Sequence, residues 1–171
     1  KGGLHSPLLN TMKKSDQPHH LLLAHSPGVW EMLRLPSTEE PLRLLISGCI
    51  LGQKCGVDAT DYGMGGALTP LVSLPTVAAY GFCPEDAGIG TPRTMPDIHG
   101  GDGFDVVRGT AKVLDQYGAD LTDGMIRGAE KMVTYALANR IELAVLTDAS
   151  AACGSQVISD GCRFTEPRKY T

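Results

Sequence analysis

The chain has 171 residues, of which 42% are hydrophobic and 20% charged, with a formal net charge of −4. This is room for one domain with a sizeable core, and it argues against general disorder. No run approaches the roughly 18 apolar residues of a membrane span, and an acidic balance does not advertise a nucleic-acid groove.

Residues 1–41 differ in character from the rest of the chain. They hold Pro7, Pro18, Pro27, Pro36 and Pro41 and four of the five histidines. Within them, Val29, Met32 and Leu33 are spaced for two helical turns over 28–35 that would pack on something else. The region reads as an arm or lid, with His19-His20 solvated and Trp30 a packing anchor. The main domain is expected over 42–171. Its first element is a buried strand at 42–46, ending in Ser47-Gly48. A short helix over 68–74 takes Pro70 in its first turn, where the missing N–H costs nothing. A second strand follows at 77–82. Residues 88–103 read as a Gly/Pro-rich loop, and 106–113 as part strand, part turn.

The clearest element is a helix over about 123–140, N-capped by Thr122, with Asp123 set against its positive end. Ile126, Ala129, Val133, Ala136 and Leu137 form its expected apolar face. A strand at 141–146 follows. Helix then buried strand, with similar strands earlier, predicts a single Rossmann-like α/β domain with a mainly parallel sheet flanked by helices. Residues beyond 158 have turn composition and no closing element, so the chain reads as continuing past Thr171.

The five cysteines are Cys49, Cys55, Cys83, Cys153 and Cys162. An odd count without a secretory signal fits reduced thiols in a cytoplasmic protein better than a disulfide framework. Cys49, Cys83 and Cys153 each follow an expected strand. In a parallel sheet these positions share the carboxyl edge, where open α/β sheets bind their ligands. Neighbouring glycines and a proline permit close backbone approach to a bulky group. Zinc, with His99 as a fourth ligand, and an iron–sulfur cluster with one iron left without a protein ligand both fit this spacing. Cys55 reads as a buried bystander and Cys162 as incidental. Asp58 suits an Asx-type turn. Arg93 pairs with an acidic side chain or meets an anionic substrate. The Gly100-Gly-Asp-Gly103 stretch lacks the Gly-Lys-Ser/Thr of a P-loop.

A set of short strings occurs in order along the chain. They are Ser47-Gly-Cys-Ile-Leu-Gly52 with Cys55 and Asp58, Cys83-Pro-Glu85, Thr91-Pro-Arg93, His99-Gly-Gly-Asp-Gly-Phe-Asp105, Gly124-Met-Ile-Arg-Gly-Ala-Glu130 and Ser150-Ala-Ala-Cys-Gly-Ser-Gln156. Together they resemble the thiouracil desulfidase (TudS-like) family, long catalogued as a domain of unknown function, over residues 42–161. The resemblance implies a 4Fe–4S cluster, labile in air, on Cys49, Cys83 and Cys153. It implies Glu85 and Ser150 as catalytic residues, and a thiolated pyrimidine of the 4-thiouracil type as substrate, converted to the oxo form with release of sulfide. Such an enzyme is hydrolase-like and non-redox. The family's commoner Ser-Pro-Ser before the third cysteine is Ser150-Ala151-Ala152 here. The rival expectations are a non-catalytic zinc or Fe–S module, and a desulfidase acting on thiolated tRNA, which the net charge does not favour.

Overall fold

The computed structural model describes residues 35–164 and 168–170. Its elements are β1 (Leu42–Ser47), α1 (Thr69–Val72), β2 (Val77–Phe82), α2 (Pro84–Ile89), β3 (Pro96–His99), α3 (Gly103–Arg108), β4 (Lys112–Asp115), α4 (Thr122–Ala138), β5 (Leu143–Val145), β6 (Val157–Ser159) and β7 (Arg168–Tyr170). The arm expected over 1–41, with its helical segment, falls almost wholly outside the described residues.

Leu44, Leu45, Ile46 and Ser47 are all buried. Such continuous burial marks a strand covered on both faces. β1 lies between β2 and β5 and pairs with both in parallel. Ser47 stands opposite Phe82, and Ile46 opposite Val145. The three strands therefore finish at one edge. The chain leaves β1 toward β2 on one side and later supplies β5 on the other, which opens a crevice at that edge. The α/β class expected from the sequence holds. Two antiparallel pairs, β3 with β4 and β6 with β7, accompany the parallel sheet.

Helix α4 covers this assembly. The Phe82 and Tyr135 rings meet at 5.0 Å between centroids. Against α2 the helix packs through glycines. A Cβ on Gly128 would collide with the Pro84 carbonyl, and one on Gly88 with the Gly124 carbonyl. Gly124, Met125 and Gly128 are the buried residues of α4, whereas Leu137 is exposed. The stripe expected from Ile126 to Leu137 is thus displaced around the helix. Hydrophobic periodicity is blind to glycine, and glycine makes the closest contact here. A second core joins Ile98, Val106, Ala111, Val113, Met125 and Ile158 under β3, β4 and α4.

Other expectations need correction. The 88–103 stretch is not all loop, because it contains β3. Residues 103–108 are helical: Asp102 accepts from the N–H groups of Phe104 and Asp105 while Asp105 accepts from that of Asp102, a reciprocal capping box. Thr122 is the first helical residue and not the cap; its hydroxyl accepts from Val113 N–H at 3.0 Å. Asp120 instead accepts the Thr122 N–H at 3.0 Å. The residues after 158 are not all turn, since β7 pairs antiparallel with β6.

Two predictions arise from this packing. Gly128→Val overpacks the α2–α4 contact against backbone. It should cost about 3 kcal/mol and lower the thermal midpoint by roughly 6–12 °C, read by circular dichroism. The Asp120 carboxyl is held down at about 2, chiefly by hydrogen bonds from Thr122 and then by Lys112. A depressed carboxylate stabilises the fold above its unfolded pKa of roughly 4. That contribution fades as pH falls toward about 2. Asp120→Asn should flatten the stability–pH curve in this acid window and leave its neutral limb unchanged in slope, as measured by urea unfolding at stepped pH.

Candidate functional site

The site grows from the three strand ends. Cys49 sits in the 3₁₀ turn Gly48–Leu51 directly after β1. Cys83 separates β2 from α2, and its sulfur accepts the Asp86 N–H at 3.4 Å. Cys153 closes the turn that follows β5. All three line one cavity of about 220 Å³ at the sheet's carboxyl edge. The convergence expected from the sequence is therefore present as placement.

A fourth thiol shares that cavity. Cys55 is buried on its wall. The Cys83 thiol donates to the Cys55 carbonyl at 3.8 Å. Gly48 leaves room for two side chains, since a Cβ there would collide with Gln53 Oε1 and stand 3.2 Å from Cys55 Sγ. Sequence spacing does not find Cys55, because C-x5-C matches no standard ligand pattern. The useful signal is the small residue at 48, whose role only the folded turn reveals.

Burial dominates the thiol electrostatics. It pushes the Cys153 thiol up to about 12. The Cys55 thiol also rises to about 12, through burial first and the neighbouring Cys83 second. Cys83 is raised by burial, against a lowering contact from the Asp86 N–H. Cys49 Sγ lies 3.2 Å from Thr147 Oγ1, and the Thr147 N–H donates to the buried Ser47 hydroxyl at 2.9 Å. This ties the β1 turn to the β5 turn.

Glu85 enters the same cavity from the first turn of α2, and it is buried. Its Oε1 accepts from the Ser150 hydroxyl at 2.8 Å, and its Oε2 from Arg93 Nη2 at 2.5 Å. Arg93 Nη1 donates to the carbonyls of Cys55 and Gly90 and to the Thr91 hydroxyl, at 2.9, 3.2 and 2.9 Å. One buried guanidinium thus joins the Cys55 loop, the end of α2 and the Glu85 carboxylate. The alternatives left open for Arg93 resolve toward the acidic partner. Ser150 bonds in two directions at once. Its oxygen accepts the N–H groups of Ala152 and Cys153 at 3.2 and 3.1 Å, so it caps the turn into Cys153, while its hydrogen goes to Glu85.

Asp58 forms the expected Asx-type turn, accepting from the Thr60 N–H at 3.1 Å and from the Thr60 hydroxyl at 2.7 Å. His99 and Cys162 lie outside the cavity wall. Among the described residues no group of three His, Cys, Asp or Glu side chains is arranged to hold a single metal ion. Ligation by the three cysteines is not shown by that arrangement, and neither is a zinc site completed by His99, which is not among the residues lining the cavity. No helix of the described residues is long and apolar enough to cross a membrane.

Fold and site together define an α/β protein that gathers thiols and a hydrogen-bonded carboxylate at a switch point of its sheet. The sequence pattern of the 2-thiouracil desulfurase family matches residues 44–170, and the chain belongs to that family. It is 34% identical over 119 residues to the uncharacterized protein YbbK of Bacillus subtilis (strain 168), covering 69% of this chain and 77% of that one. A solved structure described as the [4Fe-4S]-dependent thiouracil desulfidase TudS matches with a TM-score of 0.61 and 30% identity, over 76% of this chain and 79% of that chain.

The Glu85–Arg93 pair yields a stability prediction. Their side chains are only 11% and 6% exposed, so each charge depends on the other. Arg93→Met should destabilise the fold by about 3–5 kcal/mol, because it leaves a buried carboxylate uncompensated. Adding Glu85→Gln should recover more than about 1 kcal/mol of that loss, measured as a double-mutant cycle by urea unfolding.

Proposed function

We propose that this protein desulfurates a thiolated pyrimidine of the 4-thiouracil type to its oxo form, releasing sulfide without net redox. The observation that carries this reading is the shared cavity, in which thiols from three strand ends face a carboxylate pinned by Arg93 and Ser150. A 4Fe–4S cluster on Cys49, Cys83 and Cys153 is the cofactor of this reading. The donor set fits it. Cluster irons take thiolates, and a four-iron core is wider than one ion, so its ligands need not crowd as those of zinc do. The relative described as [4Fe-4S]-dependent supports the same choice. When bound, a cluster with three protein ligands supplies a Lewis-acidic metal with affinity for soft thiocarbonyl sulfur.

The chain's own residues perform the proton work. Each Glu85 oxygen uses one lone pair on Ser150 or Arg93 and keeps another free for water. Glu85 takes a proton from the water that attacks the ring carbon bearing sulfur, and later returns it to the ring or the departing sulfur. The carbon–oxygen bond forms, the carbon–sulfur bond breaks, and sulfur leaves with the bonding pair as hydrosulfide. Ser150 and Arg93 fix the carboxylate's direction, so no reorganisation is needed at the moment of attack.

The test is anaerobic sulfide release from 4-thiouracil by reconstituted protein. Glu85→Gln should retain the visible chromophore of the cofactor and lose about 10²–10⁴ of the turnover rate. Cys49→Ala, Cys83→Ala and Cys153→Ala should each lose chromophore and sulfide release together, while Cys55→Ala keeps both. A fully loaded wild type that releases no sulfide contradicts the reading.

A further inference from the structure

The loop between the 3₁₀ turn and α1 carries a tyrosine whose placement the desulfuration chemistry does not use. Tyr62 lines the thiol cavity and is 50% exposed. Its ring lies on Gly56: a Cβ there would stand 2.7 Å from Tyr62 Cζ and 3.0 Å from Cε2. Gly56 is therefore the space into which the ring folds. Tyr62 itself holds a φ of +55° and Ala59 one of +60°, conformations that residues with a Cβ rarely adopt. Several bonds impose them. Tyr62 N–H donates to Thr60 Oγ1 at 3.1 Å, Gly56 N–H to the Thr60 carbonyl at 2.8 Å, and Gly65 N–H to Asp61 Oδ2 at 3.0 Å. Strain that is overdetermined in this way on a cavity wall marks a side chain placed for a purpose.

The phenol is oriented as well as placed. Its oxygen accepts the Val57 N–H at 2.8 Å. Its own hydrogen has no partner among the described residues, so it is a donor in waiting. Burial, and to a lesser degree the nearby Glu85, push the phenol above its ordinary range, against a lowering contact from Val57. The O–H therefore stays protonated through neutral pH. An aromatic face with a fixed polar tip suits a flat ring that carries its own acceptor.

We propose that Tyr62 is a specificity-determining residue of the cavity, covering a flat heteroaromatic ring and donating its phenol O–H to the ring carbonyl that is not under attack. This rests on the desulfuration reading and adds to it how the base is recognised. A donor built to meet one oxygen discriminates against a ring that lacks it, because the O–H, covered by the bound ring, is then left unpaired.

The test compares wild type and Tyr62→Phe on 4-thiouracil and on 4-thiopyrimidine, which has the same thiocarbonyl but lacks the C2 carbonyl oxygen. Wild type should show a KM about tenfold higher for 4-thiopyrimidine. Tyr62→Phe should raise KM for 4-thiouracil by the same factor, leave kcat within about threefold, and be indifferent to the missing oxygen, as expected for one lost hydrogen bond. A purely structural role for Tyr62 would weaken both substrates alike and leave their ratio intact, which overturns the proposal. Calorimetric binding of uracil is read alongside, where Tyr62→Phe should weaken affinity about tenfold and Tyr62→Leu more. A wild type that binds uracil in this Tyr62-dependent way but releases no sulfide sinks the desulfuration reading alone. One that releases sulfide with uracil affinity indifferent to Tyr62 sinks this inference alone.

Discussion

Parallel pairing of β1 with two neighbours is the constraint on which the site depends. Two parallel strands in register end on the same side, and a third on the opposite flank ends there too. The residues that come next have no choice but to share a crevice. Cys49, Cys83 and Cys153 are separated by dozens of residues in the chain and meet because of that geometry. A hairpin-built sheet would have delivered alternate strand ends to opposite edges and scattered the thiols.

The crevice then needs its loops held still, and buried polar contacts do this. Arg93 reaches Glu85, the Cys55 carbonyl and the end of α2 at once. Ser150 ties Glu85 to the Cys153 turn. Asp148 collects the N–H groups of Ser155, Gln156 and Val157 at 3.2, 3.2 and 3.1 Å, which folds the chain back after Cys153. Farther out, Arg163 pairs with the fully buried Asp97 at 2.6 Å and fastens the tail beside the cavity. Burying such charges is expensive and returns modest net stability. Their value lies in geometry: each bond removes a freedom from a side chain on the cavity wall.

Legibility in the sequence followed the physics of each signal. β1, β2, β5 and α4 were readable because buried strands and long amphipathic helices leave apolar marks. The ends of those three strands then pointed to Cys49, Cys83 and Cys153, and the ordered motifs pointed to Glu85 and Ser150, all of which line the cavity. α3 was missed although Asp102 and Asp105 spell a capping box, because Gly100, Gly101 and Gly103 around them read as loop. The buried face of α4 was misplaced because Gly124 and Gly128, with no side chain to score, make its closest contacts. Cys55 was legible as a buried thiol, but its place on the cavity wall, like that of Tyr62, was not, for another reason. Their positions depend on Gly48 and Gly56 leaving space across a folded loop, and no one-dimensional spacing records an empty volume. Arg93 was seen, but which of its two partners it takes is decided only when α2 and the loop after it are brought together.

The claim at the centre is that thiols from separate strand ends jointly hold one multinuclear inorganic core. Iron and acid-labile sulfide counted per chain, on protein isolated without exposure to air, address it most directly. About four of each is the expected outcome for a cubane on cysteine ligands. About one zinc per chain, with no labile sulfide, would contradict the account.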